Sequence, residues 1–252
     1  MDSKGRFSNR VEDYIRYRPS YPESVVEAIY QAMEGDTQSG VADIGSGTGI
    51  FSELLLKRGF TVYGIEPNSS MRDAAEALLK SYPRFVSVAG SAEDTTLPSE
   101  TVGVCVAAQA FHWFDAATTR KEFSRILKPN GLVALIWNDR RTDSTPFLQA
   151  YEETLMAYGT DYASVNHRNI NDNQIATWFG RSGMQIKTFP NYQHFDWDGL
   201  YGRALSSSYV PAKDDPKHSI FATALRLVFD AHNVDGKVTF EYDTRLYIGA
   251  LA

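Results

Sequence analysis

The sequence predicts an α/β protein built on a doubly wound, mostly parallel sheet. Short runs rich in Val, Ile and Ala recur between residues 41 and 138: VADI, TVYGIE, RFVSVAG, TVGVCVAAQ and LVALIWN. Segments with helical spacing separate most of them. Runs that stay apolar throughout, without alternation, belong to strands buried on both faces, as in a parallel sheet covered by helices. In such a sheet ligands gather along the carboxyl edge of the strands.

Each element follows from local composition. VADI (41–44) runs through three glycines into the helical pattern FSELLLKRG. TVYGIE (61–66) is β-rich and stops at Pro67, after which Asn68, Ser69 and Ser70 can cap a helix in MRDAAEALLKS. RFVSVAG (84–90) and TVGVCVAAQ (101–109) read as further strands, followed by a helix over Ala116 to Leu127. KPNG (128–131) is expected as a turn, because proline presets φ and Asn-Gly accepts positive φ. LVALIWN (132–138) makes the fifth strand. Beyond it, Tyr151–Tyr158 and Gln174–Arg181 read as helical, and MQIKTFPNYQHFDW contains strand. DPKHSIFATALRLVFDAH has amphipathic helical spacing, and VTFEYDTRLYIGAL alternates as a closing strand.

Composition narrows the function. A chain of 252 residues can bury one sizeable core. Its 25 Lys and Arg against 31 Asp and Glu, a net charge of -6, argue against nucleic acid or an anionic membrane as partner. No stretch approaches the roughly 18 apolar residues of a spanning helix. The opening MDSKGRFSNRVEDYIRYRPS lacks a signal peptide's apolar core, so a cytoplasmic location is expected. The single cysteine, Cys105, sits in VGVCVAA and reads as a small buried hydrophobe. His167, His194, His218 and His232 are scattered, with no ligand at metal-binding spacing.

The chemistry is concentrated in DIGSGTGI. Glycines at 45, 47 and 49 let a strand-to-helix turn bring backbone N–H groups and a helix N-terminus close to a ligand. The dinucleotide pattern GxGxxG needs a glycine where Ile50 stands. Asp43 places negative charge beside the loop, which repels a pyrophosphate and suits an ammonium. Glu66, ending the next strand, can accept hydrogen bonds from both hydroxyls of a ribose, as either class requires. GSAED (90–94) follows the third strand, a place from which backbone groups and a side-chain acceptor can read an adenine.

With these residues in place the chain resembles the class I S-adenosylmethionine-dependent methyltransferases (methyltransferase type 11-like). DIGSGTG is similar to their first motif, IEPNSSM to the second, GSAEDTTLP to the adenine segment, AAQAFHWFD to the segment after the fourth strand, and ILKPNGLVALIWN to the fifth-strand segment. FSNRVEDYIRYRPSYP and DGLYGRALSSSYVP resemble a subgroup that includes aconitate-type small-acid methyltransferases. The resemblance implies a Rossmann-like, seven-stranded sheet with an N-terminal helical lid and extra C-terminal helices. With no internal repeat, low-complexity tract or linker, a single domain is expected: lid and helices over 1–35, cofactor-binding core over 36–140, and acceptor-site additions over 141–252. Gly45, Ser46, Gly47 and Gly49 would then pass beneath the methionyl part of S-adenosyl-L-methionine, with Asp43 near its ammonium. Glu66 would hold the ribose, and Pro67 and Met71 would flank the adenine. Ala92, with Ser91 or Glu93, would meet the adenine edge. Many relatives carry Asp where Ser91 stands, so the contact to the exocyclic amine falls to Glu93 or is absent.

Several residues keep two readings. The aromatic and basic stretch 7–21 is either a surface helix packed on the sheet or a lid. As a lid, Tyr14 would cap the cofactor, Tyr21 would face the acceptor, and Arg18 would pair with the methionyl carboxylate or an acidic acceptor. His112 in QAFHWFD either holds its loop or acts as a general base. Gln109 orients cofactor or acceptor, and Trp113 and Tyr209 are candidates to line the acceptor pocket. The reaction expected is methyl transfer to a small-molecule acceptor, a carboxylic acid being one candidate class, with the acceptor atom left open. The alternatives are a catalytically silent S-adenosylmethionine-binding protein and an NAD(P)-dependent oxidoreductase.

Overall fold

The computed structural model describes residues 17–160, 162, 171–180, 183–207 and 209–251. Seven strands form one sheet: β1 (Val41–Ile44), β2 (Val62–Ile65), β3 (Phe85–Val88), β4 (Val102–Ala108), β5 (Leu127–Arg140), β6 (Gln185–Phe195) and β7 (Val238–Gly249). Their order is β3-β2-β1-β4-β5-β7-β6. The first five pair in parallel, while β7 runs antiparallel to both β5 and β6. The described helices are α1 (Glu23–Ala32), α2 (Ile50–Arg58), α3 (Ser69–Leu78), α4 (Ala116–Ile126), α5 (Pro146–Tyr158), α6 (Asp172–Phe179), α7 (Trp197–Leu205) and α8 (His218–His232). None is long and apolar enough to cross a membrane.

The unbroken apolar runs are explained by a core on each face of the sheet. In β4, Val104 and Val106 pack with Val25 and Ile29 of α1 and Phe51 and Leu55 of α2. Their neighbours Cys105 and Ala107 point the other way, toward Phe123 of α4 and Trp178 and Phe179 of α6. Alternate residues therefore serve opposite layers, and each fully buried Val, Leu or Phe contributes about 1.5–3 kcal/mol. A third cluster joins Tyr151 of α5, Leu200 of α7, Phe221 of α8 and Phe240 of β7 beyond the parallel half.

Helix ends follow the capping residues. Asn68 accepts from Met71 N at 3.1 Å, as expected for the start of α3. Asp115, Thr145, Asn171 and Asp196 do the same for α4, α5, α6 and α7. Two local expectations change. KPNG is a bulge inside β5 and not a turn before it, because the register with β4 jumps from Val102↔Leu127 to Val104↔Leu132. Asn130 takes the positive φ its neighbour Gly131 hinted at, at 62°. Helix α7 was not expected, since its glycines weaken any helical signal.

Candidate functional site

The carboxyl ends of β1, β2, β3 and β4 converge on a cleft of about 210 Å³. Its walls include Gly45, Gly47, Glu66, Pro67, Met71 and Ala92. Ser91, Glu93, Gln109 and Trp113, all candidates from sequence, line it too. Asn68, Ala110 and Phe114 also line it and were not among the candidates. Asn68 reads from sequence as a helix cap alone, and Phe114 carries no signal of its own there.

Glu66 is the polar centre of this cleft. Its Oε2 accepts from Gly47 N and its Oε1 from Asn68 N, both at 2.9 Å. The carboxylate is thereby fixed, with lone pairs left for a ligand. Burial raises its pKa, while the two backbone N–H groups and Arg72 oppose that rise.

The glycine loop works differently from the expected amide cradle. Gly45 N and Ser46 N both donate to Ile65 O, Gly49 N donates to Ser46 O, and Gly47 N serves Glu66. These N–H groups are spent inside the loop, so the glycines serve close approach and not anion binding. At Gly47, where φ is 56°, an added Cβ would meet no protein atom within 4 Å. At Gly45 and Gly49 it would lie 2.7 Å from Ala110 Cβ and from Leu79 Cδ1 respectively. Ser46 turns its hydroxyl toward Gly64 and does not line the cleft.

Asp43 lies behind the loop, 1% exposed. Its Oδ2 accepts from Ser52 Oγ at 2.6 Å, and its Oδ1 has no hydrogen-bond partner among the described residues. Burial pushes its pKa up to about 6, against the Ser52 hydrogen bond and with help from the charge of Glu66. An orphaned buried carboxylate oxygen is costly unless a cationic partner completes it.

In the segment after β3, Ser91 N donates to Asp94 O and Ser91 Oγ accepts from Asp94 N. Glu93 Oε1 accepts from Asp115 N at 2.9 Å, which ties it to the start of α4. Glu122 accepts from Thr95 N and Thr95 Oγ1 and pairs with Arg125, holding the end of this segment. The Arg125 pairing keeps the Glu122 carboxyl at about 2. Gln109 adopts a left-handed φ of 55°, and its Nε2 donates to Asn138 O at 3.3 Å.

The remaining candidates lie elsewhere. Tyr14 falls outside the described residues. Tyr21 meets Phe51 edge to face at 5.0 Å and packs into the core, with no place in the cleft wall. His112 stands beside Trp113, ring centroids 4.9 Å apart, and does not line the cleft. Arg18 lines a neighbouring cleft on the other side of the loop, with Ser20, Thr48, Gly49 and Ile50.

Tyr209 belongs to a second polar cluster under α7. Arg203 of α7 is 6% exposed, donates to Ser207 Oγ at 3.0 Å, and forms no ion pair among the described residues. Arg140, at the end of β5, pairs with Glu152 and reaches Tyr162 Oη at 3.1 Å. Burial raises the Tyr209 pKa, but Arg203, Ser207, Arg18 and Arg140 outweigh it and hold the phenol below its ordinary value. Sequence reasoning missed Arg203; the signal available was its place on the Leu200–Ala204 face of an otherwise apolar segment.

Comparison with known proteins agrees with this geometry. Residues 42–135 match the family model described as a methyltransferase domain. An uncharacterized methyltransferase of Mycobacterium bovis is 36% identical over 134 residues, 53% of this chain and 52% of the relative; the chain thus spans about half the length of that relative. An uncharacterized methyltransferase of Geobacillus kaustophilus is 34% identical over 202 residues, 76% of this chain and 92% of the relative. Among solved structures, a candidate type II methyltransferase from Anaeromyxobacter dehalogenans superposes with a TM-score of 0.70 at 21% identity, over 93% of this chain and 98% of that one. A cleft at the β1–β4 carboxyl edge, an acid closing β2 and a family match over that same region lead to one conclusion: the chain belongs to the class I S-adenosylmethionine-dependent methyltransferases.

Proposed function

We propose that this methyltransferase acts on a small carboxylic acid, transferring the methyl group to a carboxylate oxygen. The observation that carries the reading is Arg203: a guanidinium buried under α7 with hydroxyl and aromatic neighbours but no carboxylate among the described residues. A buried charge left without a counter-ion costs several kcal/mol, and an acidic acceptor removes that cost. Arg18 supports the same reading, because it donates to Ser206 O beside Arg203 and also borders the glycine loop.

The chain's own residues fit the cofactor. S-adenosylmethionine supplies a methyl group already activated by sulfonium charge. Asp43 holds its unpartnered carboxylate charge behind the loop, where it favours an ammonium in front of it, Glu66 keeps lone pairs for ribose hydroxyls, and the open side of Gly47 gives room for close approach. Pro67, Met71 and Ala92 supply apolar walls for a purine, with Ser91 and Glu93 at its edge. A carboxylate acceptor is ionised at neutral pH and needs no general base, so His112 serves its loop and not proton transfer. What the residues must do is orient the acceptor and keep out water.

The test is a panel of small carboxylic acids, phenols and amines assayed for S-adenosylhomocysteine release, repeated with Arg203→Met. Turnover with acids, lost in the variant while cofactor affinity stays within twofold, is the expected result. Turnover confined to phenols or amines, or acid turnover indifferent to Arg203, would overturn the reading.

A further inference from the structure

We propose that Gly202 and Asn138 are positioning residues that seat the segment Tyr17–Ser20 across the carboxyl edge of the sheet, so that Arg18 stands between the glycine loop and Arg203. Neither residue lines the cofactor cleft. Gly202 provides a notch in α7: an added Cβ would fall 2.1 Å from Tyr17 Cε2 and 2.4 Å from its Cζ. One turn on, Ser206 O accepts from Arg18 Nη2 at 2.9 Å. The ring and the guanidinium of adjacent residues are thus docked on one helix.

The strands hold the same segment from the other side. Tyr17 O accepts from Gln193 Nε2 at 3.2 Å, and Gln193 Oε1 is itself fixed by Tyr242 Oη at 2.8 Å. Ser20 O accepts from Asn138 Nδ2 at 3.2 Å and from Asn191 Nδ2 at 2.8 Å. Asn138 is 3% exposed, and its Oδ1 accepts from Thr244 Oγ1 and Asn191 Nδ2 at 2.5 and 3.2 Å. Its backbone oxygen takes the amide of Gln109, which does line the cofactor cleft. Arg18 and Ser20, held between these anchors, wall a cleft of about 260 Å³ with Thr48 and Gly49 of the glycine loop. The cofactor loop and the Arg203 cluster are therefore spanned by one short segment whose place is set by a missing side chain and a buried amide.

The test measures S-adenosylmethionine dissociation by stopped-flow fluorescence of the full chain, with Trp113 in the cleft wall as reporter, alongside urea unfolding. Gly202→Ala should speed dissociation about tenfold, by about 1.4 kcal/mol, as should Tyr17→Ala. Because Tyr17→Ala empties the space a Cβ needs, the double variant should dissociate no faster than Tyr17→Ala alone, the non-additivity expected of a fitted pair. A defect confined to helix packing would lower the unfolding midpoint and leave dissociation from the folded protein unchanged; that outcome, or additive effects in the double variant, overturns the proposal. Should Gly202→Ala not fold, Asn191→Ala removes the 2.8 Å bond to Ser20 without entering α7 and is judged by the same rate.

Discussion

Replacing Asp43 by asparagine isolates the charge held behind the glycine loop. Burial lifts this carboxyl from 3.8 to about 6, so it binds its proton more tightly in the folded chain than in the unfolded one. The sign follows directly. Stability contributed at this site is highest below pH 3.8, falls as the pH rises toward 6, and is constant above it. A rise of that size corresponds to about 3 kcal/mol at pH 8. Asparagine keeps the shape and can still accept from Ser52 Oγ, and it leaves one unpaired polar atom where Asp43 Oδ1 now lies. Those terms cancel to first order, and the ionisation penalty does not. Asp43→Asn should therefore be about 2–3 kcal/mol more stable than the parent at pH 8 and indistinguishable from it near pH 3, read from urea unfolding without cofactor. The same variant should bind S-adenosylmethionine about 30-fold more weakly at pH 8, the loss of a charge-assisted contact worth about 2 kcal/mol. Calorimetric titration measures that directly. A variant less stable than the parent at pH 8, or one with undiminished affinity, would refute the assignment of Asp43 to a cationic ligand group.

Neighbouring glycines should separate binding from folding. Gly47→Ala, with open space at its Cβ and a φ of 56°, should cost about 1 kcal/mol of stability and at least about tenfold in cofactor affinity. Gly49→Ala drives a Cβ toward Leu79 and should instead lower stability by about 2 kcal/mol, measured by thermal unfolding. Glu122→Gln should cost about 2 kcal/mol at pH 7 by weakening the Thr95 and Arg125 contacts. Since Glu122 titrates at about 2 in the fold, that difference is fully present above pH 4.5 and should shrink as the pH falls toward 2.

The parallel half of the fold was legible because burial on both faces leaves little room for polar residues: β4 has none, β1 has Asp43 alone, and the run of letters shows it. The cleft was legible for the same reason in reverse: Asp43 and Glu66 are acids in places where burial makes an acid expensive. Legibility fails where a residue acts by absence or by long-range contact. Helix α7 carries Gly199 and Gly202, each pressed by an aromatic ring, Phe195 and Tyr17, and propensity counts both as helix breakers. Arg203 looks like any surface arginine until the helix is known to be buried. The bulge at KPNG could not be told from a turn, since either uses positive φ at Asn130.

β7 comes last among the strands yet sits inside the sheet, bonded to β5 along Val133–Arg140 and to β6 along Gln185–Phe195. During synthesis β5 must wait, its outer edge unsatisfied, for about a hundred further residues before Val238–Gly249 arrives. Until then β6 has no strand to join, and the Asn191 and Gln193 amides that later grip Tyr17–Ser20 have no fixed place. A nascent chain can thus assemble the β1–β4 region that forms the cleft early, while the β5 edge stays open. Interrupting translation before Val238 should yield a product prone to pairing through the bare edge of β5.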